Sequence, residues 1–180
     1  MADATWQDFL PLDDAALLAQ CEFDRFRASG PGGQKRNVTE SAVRLRHGAS
    51  GLTSEATESR SQHENRARAL RRLRIAIALT LRAPIVPQAH AASDELAAAL
   101  GPGLGRRDAR FWPAVAALLD VLEHFEWKLS SAAKLLGVTT ASVSRVLESD
   151  VVVLRAANER RRALELKPLR VSKQRGSRRR

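Results

Sequence analysis

The chain has 180 residues and a formal net charge of +10 at pH 7. This length suits one ordinary domain or two small ones, and the composition, with 44% hydrophobic and 28% charged residues, is that of a folded protein and not of a disordered one. The excess of positive charge indicates a polyanionic partner, with nucleic acid or the ribosome as the leading class, unless the charge is only a solvated surface.

Three short strands are predicted in the first third of the chain. The first covers Glu22–Arg27, and the second covers Ala42–Arg46, where apolar and cationic side chains alternate. A turn over Gly48–Gly51 leads to a third strand over Leu52–Thr57. Together they predict a small antiparallel sheet.

Helices are predicted on both sides of these strands. Asp13 and Asp14 favour the start of a short docking helix that ends near Gln20. Ser61 opens a long helix, and Glu64 three residues later completes a capping-box pattern. Its apolar stripe contains Leu70, Leu73, Ile77 and Leu81, and its charged surface contains Arg66, Arg68, Arg71, Arg72 and Arg74.

The second half is predicted to be helical. The boundaries are a first domain at 1–82, a linker at 83–110 with one short helix over Ser93–Leu100, a helical domain at 111–166 and a basic tail at 167–180. The helices of the second domain are predicted at Phe111–Glu126, Ser130–Leu136, Thr140–Glu148 and Val151–Leu166.

A helix-turn-helix-like pattern lies within this second domain, from Leu129 to Glu148. Ala133 provides the small packing residue and Gly137 the turn. Leu136, Val138, Val143 and Val146 are the expected buried positions, and Thr140, Ser142, Ser144 and Arg145 would face a nucleic-acid groove. An ordinary three-helix core explains the pattern equally well.

Charge is distributed unevenly along the chain. Six acidic residues and no Lys or Arg lie between Met1 and Asp24, whereas seven basic residues and no acidic residue lie between Lys167 and Arg180. The basic end is therefore the segment expected to bind a polyanion. A disordered, solubilising tail with unspecific RNA affinity is the alternative.

Cys21 is the only cysteine, so neither an intramolecular disulfide nor an all-cysteine metal site is expected. The N-terminus lacks a signal-peptide pattern and no apolar run is long enough to span a bilayer. These features predict a cytoplasmic protein without a membrane partner. Cys21 is interpreted as a small core residue, and His47 and His63 as strand-end and helix-start residues rather than acid–base groups.

The most informative segment is Arg27-Ala28-Ser29-Gly30-Pro31-Gly32-Gly33-Gln34. A glycine-rich loop by itself is weak support for function. Here it is followed by Asn37, by Thr39-Glu40-Ser41-Ala42-Val43-Arg44-Leu45 and later by Ser59-Arg60-Ser61-Gln62-His63-Glu64-Asn65-Arg66-Ala67-Arg68-Ala69-Leu70. These stretches resemble the Gly-Gly-Gln (GGQ) domain of class I peptide chain release factors, and most of all their short, codon-independent ribosome-rescue relatives.

The resemblance implies an α+β fold in which a long helix covers a small antiparallel sheet, followed here by an all-α region and a basic tail. It also implies ribosome-dependent hydrolysis of the peptidyl-tRNA ester, carried by Gly32, Gly33 and Gln34. Glycine permits a close approach to the crowded reaction centre, and the Gln34 backbone N–H would stabilise developing charge. The Gln34 side chain would admit water, and Gln34 is the expected site of methylation.

The partners implied are the large-subunit peptidyl transferase centre with its rRNA, peptidyl-tRNA and a glutamine methyltransferase, and no metal or organic cofactor is implied. Arg36 and Val38 depart from the residues usual in the family. The RNA-binding residues expected are Arg27, Lys35, Arg36, Arg44, Lys167, Arg170, Lys173, Arg175, Arg178, Arg179 and Arg180.

Two hypotheses about function follow. In the first, the chain is a rescue enzyme without a codon-reading domain, whose basic tail occupies an empty mRNA channel as in the short relatives. In the second, the chain is a helix-turn-helix regulator or a ribosome accessory protein that binds nucleic acid, and its GGQ segment is vestigial. The intact Gly32-Gly33-Gln34 favours the first.

Overall fold

The structure is a computed structural model that describes residues 4–26, 41–87 and 92–170. The fold is α+β, as predicted, with a three-stranded sheet followed mainly by helices. Two compact units are present, Met1–Ala83 and Pro84–Arg180. Among the helices of the described ranges, none has the length and apolar character needed to cross a membrane.

The sheet of the first unit is antiparallel, in the order β1-β2-β3. Strand β1 covers Cys21–Phe26, β2 covers Ala42–His47 and β3 covers Thr53–Ala56. All three predicted strands are therefore confirmed to within two residues at either end. The predicted turn between β2 and β3 is also confirmed: the Gly51 N–H donates to the His47 carbonyl at 2.8 Å, and Gly51 has a φ of 69°, which glycine adopts without steric cost.

Helix α2, over Gln62–Thr80, packs against β2 and β3. Three residues of its predicted apolar stripe, Leu70, Leu73 and Ile77, are buried, as are Val43, Leu45 and Ala56 of the sheet. The fourth, Leu81, follows the end of the helix in extended backbone and is only partly buried, which corrects the prediction for this residue. The hydroxyl of Ser54 on β3 donates to the Ala69 carbonyl of α2 at 2.9 Å. Apolar burial and one buried hydrogen bond therefore hold the helix on the sheet.

The predicted capping box at the start of α2 is only half formed. The Ser61 hydroxyl accepts from the Glu64 N–H at 3.3 Å, as expected. In a complete capping box, the Glu64 carboxylate would accept from the Ser61 N–H. Here the Ser61 N–H donates to the Ser59 hydroxyl at 3.0 Å instead. With that donor already satisfied, the Glu64 carboxylate lies beside Arg68 at 3.6 Å instead.

The N-terminal segment is tied to α2 by an arginine. A short 3-10 helix at Trp6–Asp8 precedes α1, over Asp14–Ala19, and the Asp13 carboxylate caps α1 by accepting from the Ala16 N–H at 2.7 Å. The Arg74 guanidinium donates to the carbonyls of Leu10 and Leu12 at 3.2 and 2.7 Å and to the Asp14 carboxylate at 2.9 Å. Arg74 is therefore a partly buried tether, and its prediction as plain surface charge was wrong.

The described residues of the second unit form five helices: α3 (Asp94–Leu100), α4 (Phe111–His124), α5 (Leu129–Leu135), α6 (Thr140–Glu148) and α7 (Val151–Ala163). Helix α4 is its centre, with every residue from Ala114 to Leu122 buried. Helix α3 lies in the stretch predicted as a linker, yet it packs on α4 and α6 and buries Leu96, Ala99 and Leu100. It contributes to the core of this unit.

Helices α5 and α6 form the predicted helix-turn-helix-like pair. Gly137 lies in the turn with a φ of 64°, and Ala133, Val143 and Val146 are buried as expected. Leu136 and Val138 are only partly buried, which corrects the prediction for these two residues. They lie in the turn, where the backbone leaves the helical geometry that would direct both side chains inward.

Helix α7 ends at Ala163, three residues before the predicted end. Glu165 adopts a left-handed backbone with a φ of 57°, and the Leu166 N–H returns to the Arg161 carbonyl at 2.9 Å. This turn is one that helices commonly use to terminate. It directs the chain back along α7.

Candidate active site

The candidate catalytic segment joins two paired strands. Phe26, the last residue of β1, lies opposite Ala42, the first residue of β2, so the chain leaves and re-enters the sheet at neighbouring positions. The predicted catalytic and methylated residues, together with three of the predicted RNA contacts, lie between these two ends and outside the described residues: Gly32, Gly33, Gln34, Arg27, Lys35 and Arg36.

A network of hydrogen bonds surrounds Ser41, the last residue before β2. The buried Asn65 side chain of α2 donates to the Ser41 carbonyl at 2.6 Å and to the Ser59 carbonyl at 2.8 Å. The Ser59 N–H donates to the Asn65 side-chain oxygen at 2.9 Å, and the Ser41 hydroxyl donates to the Ser59 carbonyl at 3.2 Å. The two separate motifs of the sequence therefore meet in space.

Residues 17–99 match the model of the RF-1 domain family. The chain contains an RF-1 domain. The match includes the Gly-Gly-Gln segment, all three strands, α2 and all but the last residue of α3, and therefore extends beyond the first compact unit.

Similar proteins carry the name peptide chain release factor 1. One from Brachyspira hyodysenteriae is 52% identical over 54 residues, which cover 30% of this chain and 15% of that protein. One from Leptothrix cholodnii is 54% identical over 52 residues, covering 29% and 14%, and one from Nitrosospira multiformis is 48% identical over 60 residues, covering 33% and 17%. The matched segment thus spans at most 17% of the length of these three relatives.

Arg44, a predicted RNA contact within the RF-1 domain, has intramolecular partners. Its Nε donates to the Glu55 carboxylate at 2.6 Å, and its guanidinium lies 5.0 Å from the centre of the Phe26 ring. Glu55 offsets its charge, while the contact with Phe26 covers the end of β1. A phosphate would have to compete with Glu55 for this side chain.

Three other arginines of the RF-1 domain also lie close to side chains of the domain. Arg72 donates to the Glu55 carbonyl and to the Glu58 carboxylate, and this hydrogen bond lowers the pKa of Glu58. Arg66 lies 5.7 Å from the centre of the Phe23 ring, and Arg68 pairs with Glu64. Arg66 and Arg72 of α2 therefore lie against residues of the sheet, whereas Arg68 pairs within its own helix.

His47 and Cys21 have structural roles in the RF-1 domain. The fully buried His47 ring at the end of β2 forms hydrogen bonds with Ser50 Oγ at 2.7 Å and Gln20 Oε1 at 3.0 Å, and burial lowers the pKa of His47. The Cys21 thiol donates to the Leu17 carbonyl at 3.2 Å, and burial raises its pKa, which disfavours a nucleophilic thiolate. Within the described ranges, no cluster of three His, Cys, Asp or Glu residues could hold a metal ion.

The basic C-terminal segment lies beyond the RF-1 domain and begins against α7. The Asn158 side chain accepts from the Leu169 N–H at 2.6 Å and donates to the Leu169 carbonyl at 3.0 Å. Arg161 donates to the carbonyls of Lys167 and Trp127 at 2.9 and 2.7 Å. Lys167 and Arg170 are exposed in this segment, whereas Lys173, Arg175, Arg178, Arg179 and Arg180 fall outside the described residues.

Two polar side chains, at the start of the second helix of the helix-turn-helix-like pair and within it, form hydrogen bonds inside their own unit. Arg145 donates to the Leu100 carbonyl of α3 at 2.9 Å, and the Thr139 hydroxyl caps α6 by accepting from the Ser142 N–H at 3.1 Å. Thr140 and Ala141 are exposed, and neither carries charge. Arg145, one of the residues predicted to face a groove, is also exposed, but its guanidinium already forms a hydrogen bond within its own unit.

Neither Asn65 nor Asn158 was singled out from the sequence. For both, the sequence shows an asparagine inside a helix, where this residue type is weakly unfavourable and needs a compensating hydrogen bond. Asn65 also lies within one of the stretches that resemble the release-factor domain. Neither signal says which groups the side chain binds.

Proposed function

We propose that this chain hydrolyses the peptidyl-tRNA ester on the ribosome and so releases the nascent peptide. The observation that carries the proposal is the RF-1 match over residues 17–99, which contains the intact Gly32-Gly33-Gln34. The names of the similar proteins, peptide chain release factor 1, support the same reaction. The pairing of Phe26 with Ala42 suits a segment that must be presented from a rigid base.

In this proposal the protein supplies only part of the reaction centre. Ester hydrolysis needs an attacking water and donors aimed at the oxygen atoms on which negative charge develops. The backbone N–H of Gln34 is the proposed donor, and its side chain admits water while excluding larger nucleophiles. The peptidyl transferase centre and peptidyl-tRNA would supply the remaining groups, so the activity depends on the ribosome.

The finer proposal is codon-independent rescue of stalled ribosomes in the cytoplasm. It is supported by the seven basic residues between Lys167 and Arg180, which suit an RNA-lined channel that holds no message. The two hydrogen bonds between the Asn158 side chain and the Leu169 backbone, which we call the Asn158 clamp, also support this proposal. They give the basic segment a defined starting point beside α7. A glutamine methyltransferase acting on Gln34 belongs to the same proposal.

A nucleic-acid-binding regulator is the second candidate, and the α5–α6 arrangement favours it. Two observations weigh against a groove-binding role. Arg145 is engaged with Leu100, and the exposed start of α6 offers Thr140 and Ala141, which make no charged contact with phosphates. Ribosomal RNA is therefore the partner that the charge and the RF-1 domain support together.

The decisive experiment measures peptide release from ribosomes that carry peptidyl-tRNA. Gln34→Ala and Gly33→Ala should abolish release while ribosome affinity stays within about twofold, because the segment contributes chemistry and little of the charge. Exposed Arg71 offers a matched control, since Arg71→Ala should leave the release rate unchanged. Full release by Gln34→Ala would refute the catalytic assignment.

The rescue proposal is tested in the same assay by changing the message. Wild-type release should be fast when the mRNA ends in the P site and should fall as the mRNA extends beyond it. A chain truncated after Leu166 should be slow on every message. Release that is indifferent to mRNA length would leave peptide hydrolysis standing and remove the rescue role.

A further inference from the structure

The side-chain amide of Asn65 donates both its N–H groups to backbone carbonyls of two residues. Both N–H groups of its amide donate to carbonyls, those of Ser41 and Ser59, and its oxygen accepts from the Ser59 N–H. The side chain is completely buried. A buried amide with every donor satisfied has one orientation, so three parts of the chain are held at defined separations: the end of the candidate segment, the approach to α2, and α2 itself.

The bond to Ser41 distinguishes this arrangement from an ordinary helix start. The start of α2 is already satisfied locally, because Ser61 caps Glu64 and Ser59 caps Ser61. The contact with Ser41 adds nothing to the capping of α2. Its effect is on the residue at which the chain re-enters the sheet, and at 2.6 Å it is the shortest of the three bonds made by Asn65.

The two described residues that flank the segment 27–40 are held in different ways. At its first end, Phe26 is held by the strand ladder opposite Ala42. At its second end, Ser41 is held by a side chain from α2, which is rigidly packed on the sheet through its apolar stripe. Phe26 and Ser41, the described residues on either side of this segment, are therefore each fixed to a packed part of the domain.

We infer that Asn65 is a positioning residue that sets the placement of the candidate catalytic segment by holding Ser41 against the start of α2. The inference rests on the proposed function, because positioning matters only if Gly32, Gly33 and Gln34 act in peptide release. Asn65 itself does not touch the reacting atoms. Its removal should therefore lower the rate of the chemical step and leave ribosome binding in place.

The test compares Asn65→Ala with Ser54→Ala in the full chain. Ser54→Ala is the matched control, because it also removes a buried hydrogen bond between the sheet and α2 but lies away from Ser41. Both variants should lower the melting temperature. In single-turnover release at saturating ribosome complex, Asn65→Ala should lower the rate constant by about 10- to 100-fold, since small displacements of reacting groups carry costs of this size. Ser54→Ala should leave it within about twofold of wild type.

Asn65→Asp provides a second variant of the same shape. Its carboxylate keeps the acceptor for the Ser59 N–H but loses both donors and faces two carbonyl oxygens. Protonation returns one donor, so its release rate relative to wild type should rise as the pH is lowered from 8 to about 6. If neither variant folds, Ser41→Ala, which removes only the hydroxyl bond to Ser59, should still slow release by threefold or more.

Hydrogen exchange separates this inference from the proposed function. In the free protein, Asn65→Ala should speed exchange at Ser59 and at Ala42 and Val43 by about tenfold or more, whereas Ser54→Ala should not. If wild-type protein releases no peptide, the proposed function fails, and unchanged exchange would independently overturn the anchoring. If wild type is active and Asn65→Ala is folded and equally fast, the positioning role is overturned while peptide release stands.

Discussion

The side-chain amide of Asn158 binds both backbone groups of Leu169, at 2.6 Å to the N–H and at 3.0 Å to the carbonyl. This pair of bonds holds the exposed Lys167 and Arg170 beside α7, which itself carries exposed Arg155 and Arg162. Held cations lose less conformational freedom on binding a polyanion than cations on a free chain. The clamp should therefore raise affinity without adding charge.

The first prediction uses that distinction. Asn158→Ala should weaken ribosome affinity several-fold and leave the slope of affinity against salt unchanged, because no cation is lost. Lys167→Gln combined with Arg170→Gln should weaken affinity and also flatten the logarithmic slope by about 0.7 for each lost contact with single-stranded RNA. Titration at several salt concentrations measures both quantities. An equal flattening by Asn158→Ala would contradict the clamp.

The second prediction concerns Arg145, which donates to the Leu100 carbonyl. Arg145→Ala should reduce the free energy of unfolding by about 0.5–1 kcal/mol, since a carbonyl loses its charged donor but this exposed donor is screened by solvent. It should leave the affinity for duplex DNA nearly unchanged, and exposed Thr140→Ala should alter neither quantity. Urea denaturation and a DNA titration decide the matter. A tenfold loss of DNA affinity would instead support groove binding by α6.

The third prediction concerns Arg74 as the tether of the N-terminal segment. Arg74→Ala should reduce the free energy of unfolding by about 2 kcal/mol, because two carbonyls and a carboxylate lose a shared charged donor. Arg74→Lys should recover little, as a single ammonium cannot reproduce the planar fork. Exposed Arg71→Ala is the control on the same helix. Hydrogen exchange over α1 should accelerate for Arg74→Ala alone.

The fourth prediction follows from His47, whose pKa is lowered from the usual 6.5 by burial. Between its folded pKa and 6.5, the unfolded chain binds the proton more readily than the folded chain. Stability contributed by neutral His47 is thus fully present above about pH 6.5 and is lost as the pH falls below it. Unfolding measured from pH 8 to 5 should show this decline, and His47→Gln should make it shallower. An identical pH profile in the variant would assign the decline to other groups.

Much of the first unit could be predicted from local pattern. Alternation of apolar and charged residues specified β2, Gly51 marked a turn that needs a positive φ, and Ser61 marked the start of α2. These features act between residues a few positions apart, so the sequence alone displays them. The catalytic role of Gly32, Gly33 and Gln34 was likewise inferred from a contiguous motif, and it stays a prediction.

The local pattern was less informative where the partner lies far along the chain. Helix α3 was placed correctly, but nothing in its sequence indicated that Leu96 and Leu100 would complete the core around α4. Likewise the end of α7 depended on Glu165 entering a left-handed turn so that the chain could return along the helix. Both outcomes follow from packing between elements, which composition and periodicity do not specify.

What the sequence by itself determined is the three strands, the approximate positions of the α-helices, the Ser61 cap of α2, the turn at Gly51 and the candidate catalytic motif. Only the tertiary structure decided how Asn65, Arg74, Arg145 and Asn158 are used. Each binds backbone groups of distant residues: Ser41 and Ser59, Leu10 and Leu12, Leu100, and Leu169, in that order. Every residue offers a backbone carbonyl, so such a partner leaves no trace in the sequence and is selected only when folding brings one carbonyl within reach.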